Sequence, residues 1–277
     1  MSFKIVSDSS SNLLELPMLD YCTVPLKIIL GEKEYVDNKD LDVAAMVEEM
    51  SRSKAKCSTS CPNMFDWLDA FEGSEEVFAI TITSNLSGSY SAAMQAKDEY
   101  TKTNPDAKVY VIDSLSTGPE MQLIIEKLIE LSESGKSFEE AVETIREYCK
   151  KTELLFSLES LRNLAKNGRV SPAVAKIAGV LGIRVVGKAD EGVLNPLHKC
   201  RGEKKALETI TEEILNMGFN GGKLRIAHCQ NKEAAKKITD NIKTKFPNCD
   251  ISVGECTALC SFYAEKGGLL IGFETDK

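Results

Sequence analysis

Two predicted loops that are rich in hydroxyl groups, each just ahead of a predicted helix, are the first candidates for chemistry. Ser58-Thr59-Ser60-Cys61-Pro62 precedes one amphipathic stretch, and the segment from Ser84 to Ser89 precedes another. A helix N-terminus presents free backbone N–H groups and a positive dipole end, which together favour an anion. The two segments therefore predict a site for an anionic group. The alternative is that their Ser and Thr side chains serve only as helix caps and turn formers.

Two further polar segments follow predicted strands. Asp8 to Asn12 comes after the apolar run at residues 3–7, and Asp113-Ser114 comes after the run at 109–112. Open α/β sheets place their ligands at the carboxyl ends of parallel strands. We therefore expect these segments to lie near the same site.

Arginines at two positions are candidates for anion contacts in a chain whose formal net charge is −8. Gly168 has the position of a residue just past a helix C-terminus, which puts Arg169 on a tight turn. Arg169 is then available to a carboxylate, a phosphate or an acidic partner, or it only complements the helix dipole. Arg201 lies in the basic cluster 199–205, which is either an anion contact or a solvated helix start.

Other chemistries have little support in the sequence. It contains no nucleophile elbow, phosphate loop or dinucleotide fingerprint. A Ser/His/Asp triad would have to recruit His198 or His228, and both are interpreted as ordinary core or surface histidines. The nine cysteines include two C-x-x-x-C pairs, which we interpret as small buried side chains in a reduced protein. We expect no metal site and no cofactor.

Composition and charge limit the class of protein. A chain of 277 residues with 43% hydrophobic and 27% charged residues is typical of two globular domains. A pI near 5.1 disfavours non-specific binding to nucleic acid. No apolar run is long enough to span a bilayer, and the N-terminus lacks the apolar region of a signal peptide. We expect a cytoplasmic protein.

The elements that must position these residues predict an α/β fold. Apolar runs at 3–7, 24–30, 77–82 and 109–112 alternate with helical patterns, which predicts a parallel sheet with flanking helices. Asp40 is the expected N-cap of the helix that contains Val43 to Met50. Another helix is expected over about 119–133, and Ser137 with Glu140 predicts a capping box at the start of the next. Further along, Asp190-Glu191-Gly192 predicts a hairpin and antiparallel pairing. We predict two lobes: residues 1–155 with a mostly parallel sheet, and residues 156–277 with an antiparallel or mixed sheet.

Taken together, these segments resemble the DegV family over almost the full chain. Each motif is short, but their order and spacing are specific. The segments that carry the resemblance are Ile5-Val6-Ser7-Asp8-Ser9-Ser10, Val24-Pro25-Leu26, Tyr35-Val36-Asp37, Thr59-Ser60-Cys61-Pro62, Leu86-Ser87-Gly88-Ser89-Tyr90, Val111-Ile112-Asp113-Ser114 and Leu161 to Arg169. Tyr263 departs from the family pattern, because it stands where the family commonly has a histidine.

The resemblance implies that one long-chain fatty acid is bound between the lobes. It implies carboxylate-binding loops in residues 1–155 and a second lobe, residues 156–277, that covers the acyl chain. The implied ligand-binding residues are Thr59, Ser60, Ser87 and Gly88, with Tyr263 as a phenolic donor. Arg169 and Arg201 are the implied contacts for a partner or a phosphate.

The resemblance also implies a role as a carrier and not as an enzyme. Some members of the family present the fatty acid carboxylate to a separate ATP-dependent fatty acid kinase subunit, which makes an acyl phosphate for bacterial phospholipid synthesis. Two alternatives stay open. One is a binder of another small anionic metabolite, and the other is an acyl- or phosphoryl-processing enzyme with Ser87 or Thr59 as its nucleophile.

Overall fold

The structure of the protein, a computed structural model, describes residues 3–17, 19–171, 174 and 182–276. The strands in this part of the chain are β1 (Lys4–Asp8), β2 (Tyr21–Val24), β3 (Lys27–Leu30), β4 (Lys33–Val36), β5 (Cys57–Ser60), β6 (Glu76–Thr81), β7 (Lys108–Asp113), β8 (Thr152–Leu158), β9 (Ile183–Asp190), β10 (Val193–Arg201), β11 (Lys223–His228), β12 (Asp250–Glu255) and β13 (Leu269–Glu274). The helices are α1 (Val43–Arg52), α2 (Met64–Phe71), α3 (Ser89–Thr103), α4 (Pro119–Glu133), α5 (Phe138–Tyr148), α6 (Arg162–Lys166), α7 (Glu203–Asn216), α8 (Lys232–Lys245) and α9 (Ala258–Ala264).

The first sheet has the strand order β2-β1-β6-β7, and all its pairs are parallel, as predicted. Side chains on a strand alternate between its two faces. On β6, Phe78 and Ile80 therefore pack with residues of α4 and α5, whereas Val77 and Ala79 pack with residues of α2 and α3. Helices on both faces explain why residues 77–80 of β6 form one continuous apolar run.

The second sheet has the order β10-β9-β8-β13-β11-β12. Its pairs are antiparallel except β11 with β12, which confirms the predicted mixed sheet. The predicted hairpin joins β9 to β10. Glu191 and Gly192 have φ values of 48° and 79°, the left-handed pair that a tight two-residue turn requires. The last strand, β13, lies in the interior of this sheet between β8 and β11.

A third, antiparallel sheet of order β4-β3-β5 was not predicted. The prediction of one strand over 24–30 was wrong, because β2 ends at Val24 and β3 begins at Lys27 in a different sheet. Pro25 lies between them and has no N–H for a strand ladder. The prediction that Ser58 to Ser60 form a loop was also wrong, because they lie in β5, paired with β3.

One helix start also differs from the sequence analysis. Asp42 is the N-cap of α1 and accepts a hydrogen bond from the Ala45 N–H at 2.9 Å, so the assignment of this role to Asp40 was wrong. Asn63 caps α2 through a capping box with Asp66, and Pro62 lies just before it. In the described part of the chain, no helix has the length and apolar character needed to cross a membrane. The lobe boundary at 155 stays a prediction; it falls inside β8, which pairs with β9 and β13.

Candidate functional site

A cavity of about 270 Å³ lies where residues on or next to the three sheets meet. This volume is near the lower end of the ~300–1,000 Å³ typical of ligand pockets. Most of the wall is apolar, and its large side chains include Leu154, Phe156, Leu158, Leu194 and Leu270. Among the described residues that line the cavity, none is Asp, Glu, His or Lys.

Strand alternation builds the apolar wall. Leu154, Phe156 and Leu158 line the cavity from β8 because residues two apart point to the same face. Phe156 pairs with Gly187 on β9. A Cβ atom on Gly187 would lie 2.4 Å from Cζ of Phe156 and 2.5 Å from the carbonyl oxygen of Asn195. The Phe156 ring therefore lies directly over Gly187, in space that a side chain there would occupy.

Hydroxyl groups from two elements meet at the cavity. Oγ1 of Thr59 on β5 and the phenolic oxygen of Tyr263 on α9 are 2.8 Å apart, which is hydrogen-bonding distance. Burial raises the pKa of Tyr263, against the opposing effects of Thr59 and the Arg169 charge. Tyr263 is therefore a neutral phenol at pH 7 and can donate a proton in a hydrogen bond.

Asp37 fixes the start of α9, the helix that carries Tyr263. Its buried carboxylate accepts hydrogen bonds from the N–H groups of Ala258 (2.8 Å) and Leu259 (3.1 Å) and from the Thr257 hydroxyl (3.3 Å). Burial raises the pKa of Asp37 to about 6, although these donors oppose the shift. Asp37 is distant from α9 in the sequence, but its carboxylate accepts the N–H hydrogen bonds that an N-cap side chain would normally accept.

The loop with Ser87 and Gly88 connects β6 to α3 and lines the cavity. Gly88 is the N-cap of α3 and provides no side-chain cap, and the Ser89 N–H donates to Oγ of Ser87 at 3.2 Å. A Cβ atom on Gly88 would lie 3.2 Å from Sγ of Cys61, so this loop contacts the end of β5. The positive end of the α3 dipole is therefore directed at the same polar region.

Asp8 forms hydrogen bonds to residues on both sides of the Ser87 loop. Its fully buried carboxylate accepts hydrogen bonds from the Ile82 N–H (2.9 Å) and from Oγ of Ser89 (2.7 Å), and burial raises its pKa. Asp113 accepts from the Ser84 N–H at 3.1 Å. The predicted polar segments that begin at Asp8 and at Asp113 thus lie close to the Ser87 loop. Their carboxylates accept hydrogen bonds from residues in or next to this loop.

The β9–β10 hairpin contacts the same loop from the other sheet. Oγ1 of Thr83 donates to the carbonyl of Gly192 at 2.9 Å, and the Asn85 amide donates to the carbonyl of Glu191 at 2.8 Å. A Cβ atom on Gly192 would lie 2.4 Å from Oγ1 of Thr83. The loop is therefore held between Asp8 and the hairpin.

Arg169 lies beside the Ser87 loop and lines the cavity. Gly168, with φ of 73°, ends α6, and the backbone N–H groups of Gly168 and Arg169 donate to the carbonyls of Ala165 and Leu164. This is a Schellman motif, which confirms the predicted role of Gly168. The Arg169 Nε–H donates to the carbonyl of Leu86 at 3.2 Å, and Nη1 donates to the carbonyl of Asn167.

The structure brings together most of the predicted site residues. Thr59, Ser60, Ser87, Gly88, Arg169 and Tyr263 all line the cavity. Arg201 is exposed at the end of β10 and is not part of this lining, so its role in partner or phosphate contact stays a prediction. The described residues contain no group of three or more His, Cys, Asp or Glu placed to hold a metal ion.

Sequence reasoning missed several residues of the site. The wall residues of β8 were not identified, although the alternation of Leu154, Phe156 and Leu158 was a usable signal. Thr117 and Cys260 also line the cavity. No local signal marked Asp37 as the cap of a helix that begins at residue 258.

Comparisons with known proteins agree over the whole chain. A family model described as an uncharacterised protein, DegV family, matches residues 2–276. A DegV domain-containing protein of Streptococcus pneumoniae is 42% identical over 281 residues, with complete coverage of both chains. The solved structure of a DegV family protein from Eubacterium eligens, loaded with heptadecanoic acid, matches with a TM-score of 0.96, 43% identity and 99% coverage of each chain. The Fatty Acid Kinase (Fak) B3 protein of Streptococcus pneumoniae, loaded with linoleic acid, matches with a TM-score of 0.97, 42% identity and complete coverage of both.

Proposed function

The chain belongs to the DegV family, and from this we propose that it binds one long-chain fatty acid in the cavity described above. The observation that carries the proposal is an apolar cavity that is also lined by the hydrogen-bonded Thr59–Tyr263 pair and by Ser60, Ser87 and Arg169. The proposed carboxylate contacts are Thr59, Ser60, Ser87, Gly88 and Tyr263. The solved relatives from Eubacterium eligens and Streptococcus pneumoniae, with their bound fatty acids, support the ligand class.

The energetics fit a ligand with a long apolar chain. Transfer of a 16-carbon tail from water to an apolar cavity contributes roughly 12 kcal/mol before the costs of binding, at ~0.8 kcal/mol per methylene. The tail thus supplies most of the affinity. Hydroxyl groups, the α3 N-terminus and the Arg169 charge then fix the orientation of the carboxylate. In the proposed arrangement residues 1–155 supply most of the carboxylate contacts, and residues 156–277 supply most of the cover over the chain.

A carrier role fits the chemistry of the cavity better than catalysis. Ser87 or Thr59 would need a general base to act as a nucleophile. The described lining contains no His, Asp, Glu or Lys to serve as that base. We therefore propose that the carboxylate is presented to a separate ATP-dependent fatty acid kinase subunit. A cytoplasmic location is part of the proposal, because the nine cysteines are free thiols, as a reducing compartment favours.

Native mass spectrometry of the freshly purified protein, with organic extraction of any adduct, tests the proposal. We expect the mass of one fatty acid on the wild type and a strongly reduced adduct on the Thr59→Ala/Ser87→Ala variant. The matched control is Ser91→Ala/Thr103→Ala, because both side chains are exposed on α3; it should keep the full adduct.

Other results would favour the alternatives. A wild-type protein that carries no lipid and takes up neither palmitate nor oleate would contradict fatty acid binding. A phosphorylated metabolite in the extract would favour a binder of another small anion. Turnover of an acyl ester that is lost in Ser87→Ala would favour an enzyme.

A further inference from the structure

A second hollow, of about 140 Å³, lies beside the cavity and has a different chemistry. Its lining includes four cationic side chains and one carboxylate: Lys54, Arg162, Lys166, Lys266 and Glu265. All four cations are exposed. This local excess of positive charge stands out because the protein as a whole has a formal net charge of −8.

The carboxylate of this basic hollow, Glu265, is directed into the protein. It is only 16% exposed, lies 3.4 Å from Nη2 of Arg162, and accepts hydrogen bonds from Ser160 (2.9 Å) and from the Asn163 N–H (3.2 Å). Among the described residues, Lys54, Lys166 and Lys266 have no ion-pair partner. Three positive charges are therefore left for an external anionic group.

The nearby acidic residues of α1 do not neutralise the hollow, because other cations pair with them. Glu48 pairs with Arg52, and Glu49 lies 2.6 Å from the ammonium of Lys33. The positive charge of the hollow is thus not cancelled from this side.

The hollow and the fatty acid cavity are both lined by residues of β5, α9 and α6. On β5, Cys57 lines the hollow, whereas Thr59 and the exposed Ser60 line the cavity. At about 3.3 Å per residue, the two ends of this strand are roughly 10 Å apart. On α9, Phe262 lines the hollow, and the next residue, Tyr263, lines the cavity.

The cations of α6 also lead toward the cavity. Arg162 and Lys166 are one turn apart on α6 and so share a face. Arg169 follows through the Schellman turn and lines the cavity beside the Ser87 loop. The basic hollow and the carboxylate site are therefore neighbours on one continuous piece of backbone.

We propose that the basic hollow docks an acidic segment of the kinase subunit that receives the fatty acid. The proposal rests on the proposed function, because that subunit must come close to Thr59 and Ser87. A protein with a formal net charge of −8 repels an acidic partner overall. A local positive hollow therefore orients the encounter and raises its rate.

The test uses Lys54→Glu/Lys166→Glu/Lys266→Glu, with a second variant that carries Gln at the same positions. The matched control is Lys237→Glu/Lys243→Glu/Lys245→Glu on α8, which makes the same change in net charge at exposed positions. Each protein is loaded with palmitate and given to the recombinant catalytic subunit of the Streptococcus pneumoniae fatty acid kinase with ATP. Palmitate-dependent ADP formation is measured against the concentration of carrier protein, at low and at high NaCl.

We expect the Glu variant to raise KM for the carrier roughly tenfold or more with kcat little changed, and the Gln variant to have an intermediate effect. The palmitate adduct in native mass spectra should equal that of the wild type. High NaCl should raise KM of the wild type much more than that of the Glu variant.

Two results would overturn the inference, and they are distinguishable. If the Glu variant had the same KM as the α8 control, the hollow would not be the docking site. The proposed function would be unaffected by that result. A palmitate-loaded wild type that gives no palmitate-dependent ADP formation would instead refute the kinase role, and the docking proposal with it.

Discussion

The side-chain oxygens of Thr59 and Tyr263 lie 2.8 Å apart, although 204 residues separate them in the chain. One is on an edge strand of the three-stranded sheet, and the other is on a short helix that Asp37 caps. Neither element is part of the parallel sheet that the sequence shows most clearly. The polar end of the cavity therefore depends on how distant segments pack together, and this dependence suggests specific tests.

Tyr263→Phe should weaken fatty acid binding by roughly tenfold or more, because a hydrogen bond to a charged group contributes about 1.5–3 kcal/mol. The measurement is displacement of a fluorescent fatty acid by palmitate. Hexadecanol, which lacks the carboxylate, should lose much less affinity. Tyr110→Phe, on β7 outside the cavity lining, is the control. Equal losses for palmitate and hexadecanol would mean that Tyr263 contributes packing and not carboxylate recognition.

The raised pKa of Asp37 predicts a pH dependence of the free energy of unfolding. Its pKa is raised to about 6 from the usual 3.8, so the folded protein binds more protons than the unfolded chain between these values. The contribution of Asp37 to the free energy of unfolding should therefore fall by up to about 3 kcal/mol as pH rises from about 4 to 6. Asp8, whose pKa is also raised, acts in the same direction.

Urea unfolding at a series of pH values checks this expectation. Asp37→Asn cannot titrate, so the stability of this variant should fall less over the same range. Asp250→Asn is the control, because Arg225 holds the pKa of Asp250 below its usual value and the variant should keep the fall. The same pH dependence in the wild type and in Asp37→Asn would show that Asp37 does not titrate in this range.

Gly187→Ala should lower the free energy of unfolding by about 1–3 kcal/mol, because the new methyl group would overlap Phe156 and the Asn195 carbonyl. Displacement of the Phe156 ring should also reduce the space for the acyl chain. Chemical unfolding and the length distribution of extracted fatty acids measure the two effects. Gly254→Ala, where a Cβ atom meets nothing within 4 Å, should leave both unchanged. Unaltered stability in Gly187→Ala would contradict the close fit.

Arg169→Lys separates charge from geometry. Lysine keeps the positive charge but has no Nε–H in the position that donates to the carbonyl of Leu86. If Arg169 acts by holding the Ser87 loop, the variant should bind palmitate about five- to tenfold more weakly, as loss of one hydrogen bond predicts. Isothermal titration calorimetry measures the affinity. Full affinity in Arg169→Lys with a loss in Arg169→Gln would show that the charge alone matters.

Local signals explain what the sequence predicted correctly. Helix α4 begins at Pro119, where a missing N–H costs nothing, and α5 begins with the capping box of Ser137 and Glu140. The hairpin follows from the turn Asp190-Glu191-Gly192, in which Gly192 adopts a positive φ without steric cost. Each of these signals acts within a few residues, so a single sequence is enough to find it.

The structural features that the sequence did not predict depend on contacts between residues that are far apart in the chain. Thr59 is in a strand because it pairs with Ile28 on β3, and no residue near Thr59 specifies that partner. The capping of α9 by Asp37 joins segments 221 residues apart. The cavity residues were predicted because the order of the sequence motifs resembles that of the DegV family. The contacts between these residues could be identified only in the three-dimensional structure.

The interior position of β13 has a consequence for synthesis. The ribosome makes β8 and β11 before β13, and in the folded sheet both pair with it. Until residues 269–274 emerge, each of these strands has an open edge, which is a known risk for aggregation. Leu270, a cavity residue, arrives on the same strand. The nascent chain therefore lacks part of the cavity wall, and we expect that the proposed fatty acid can be enclosed only after translation has passed β13.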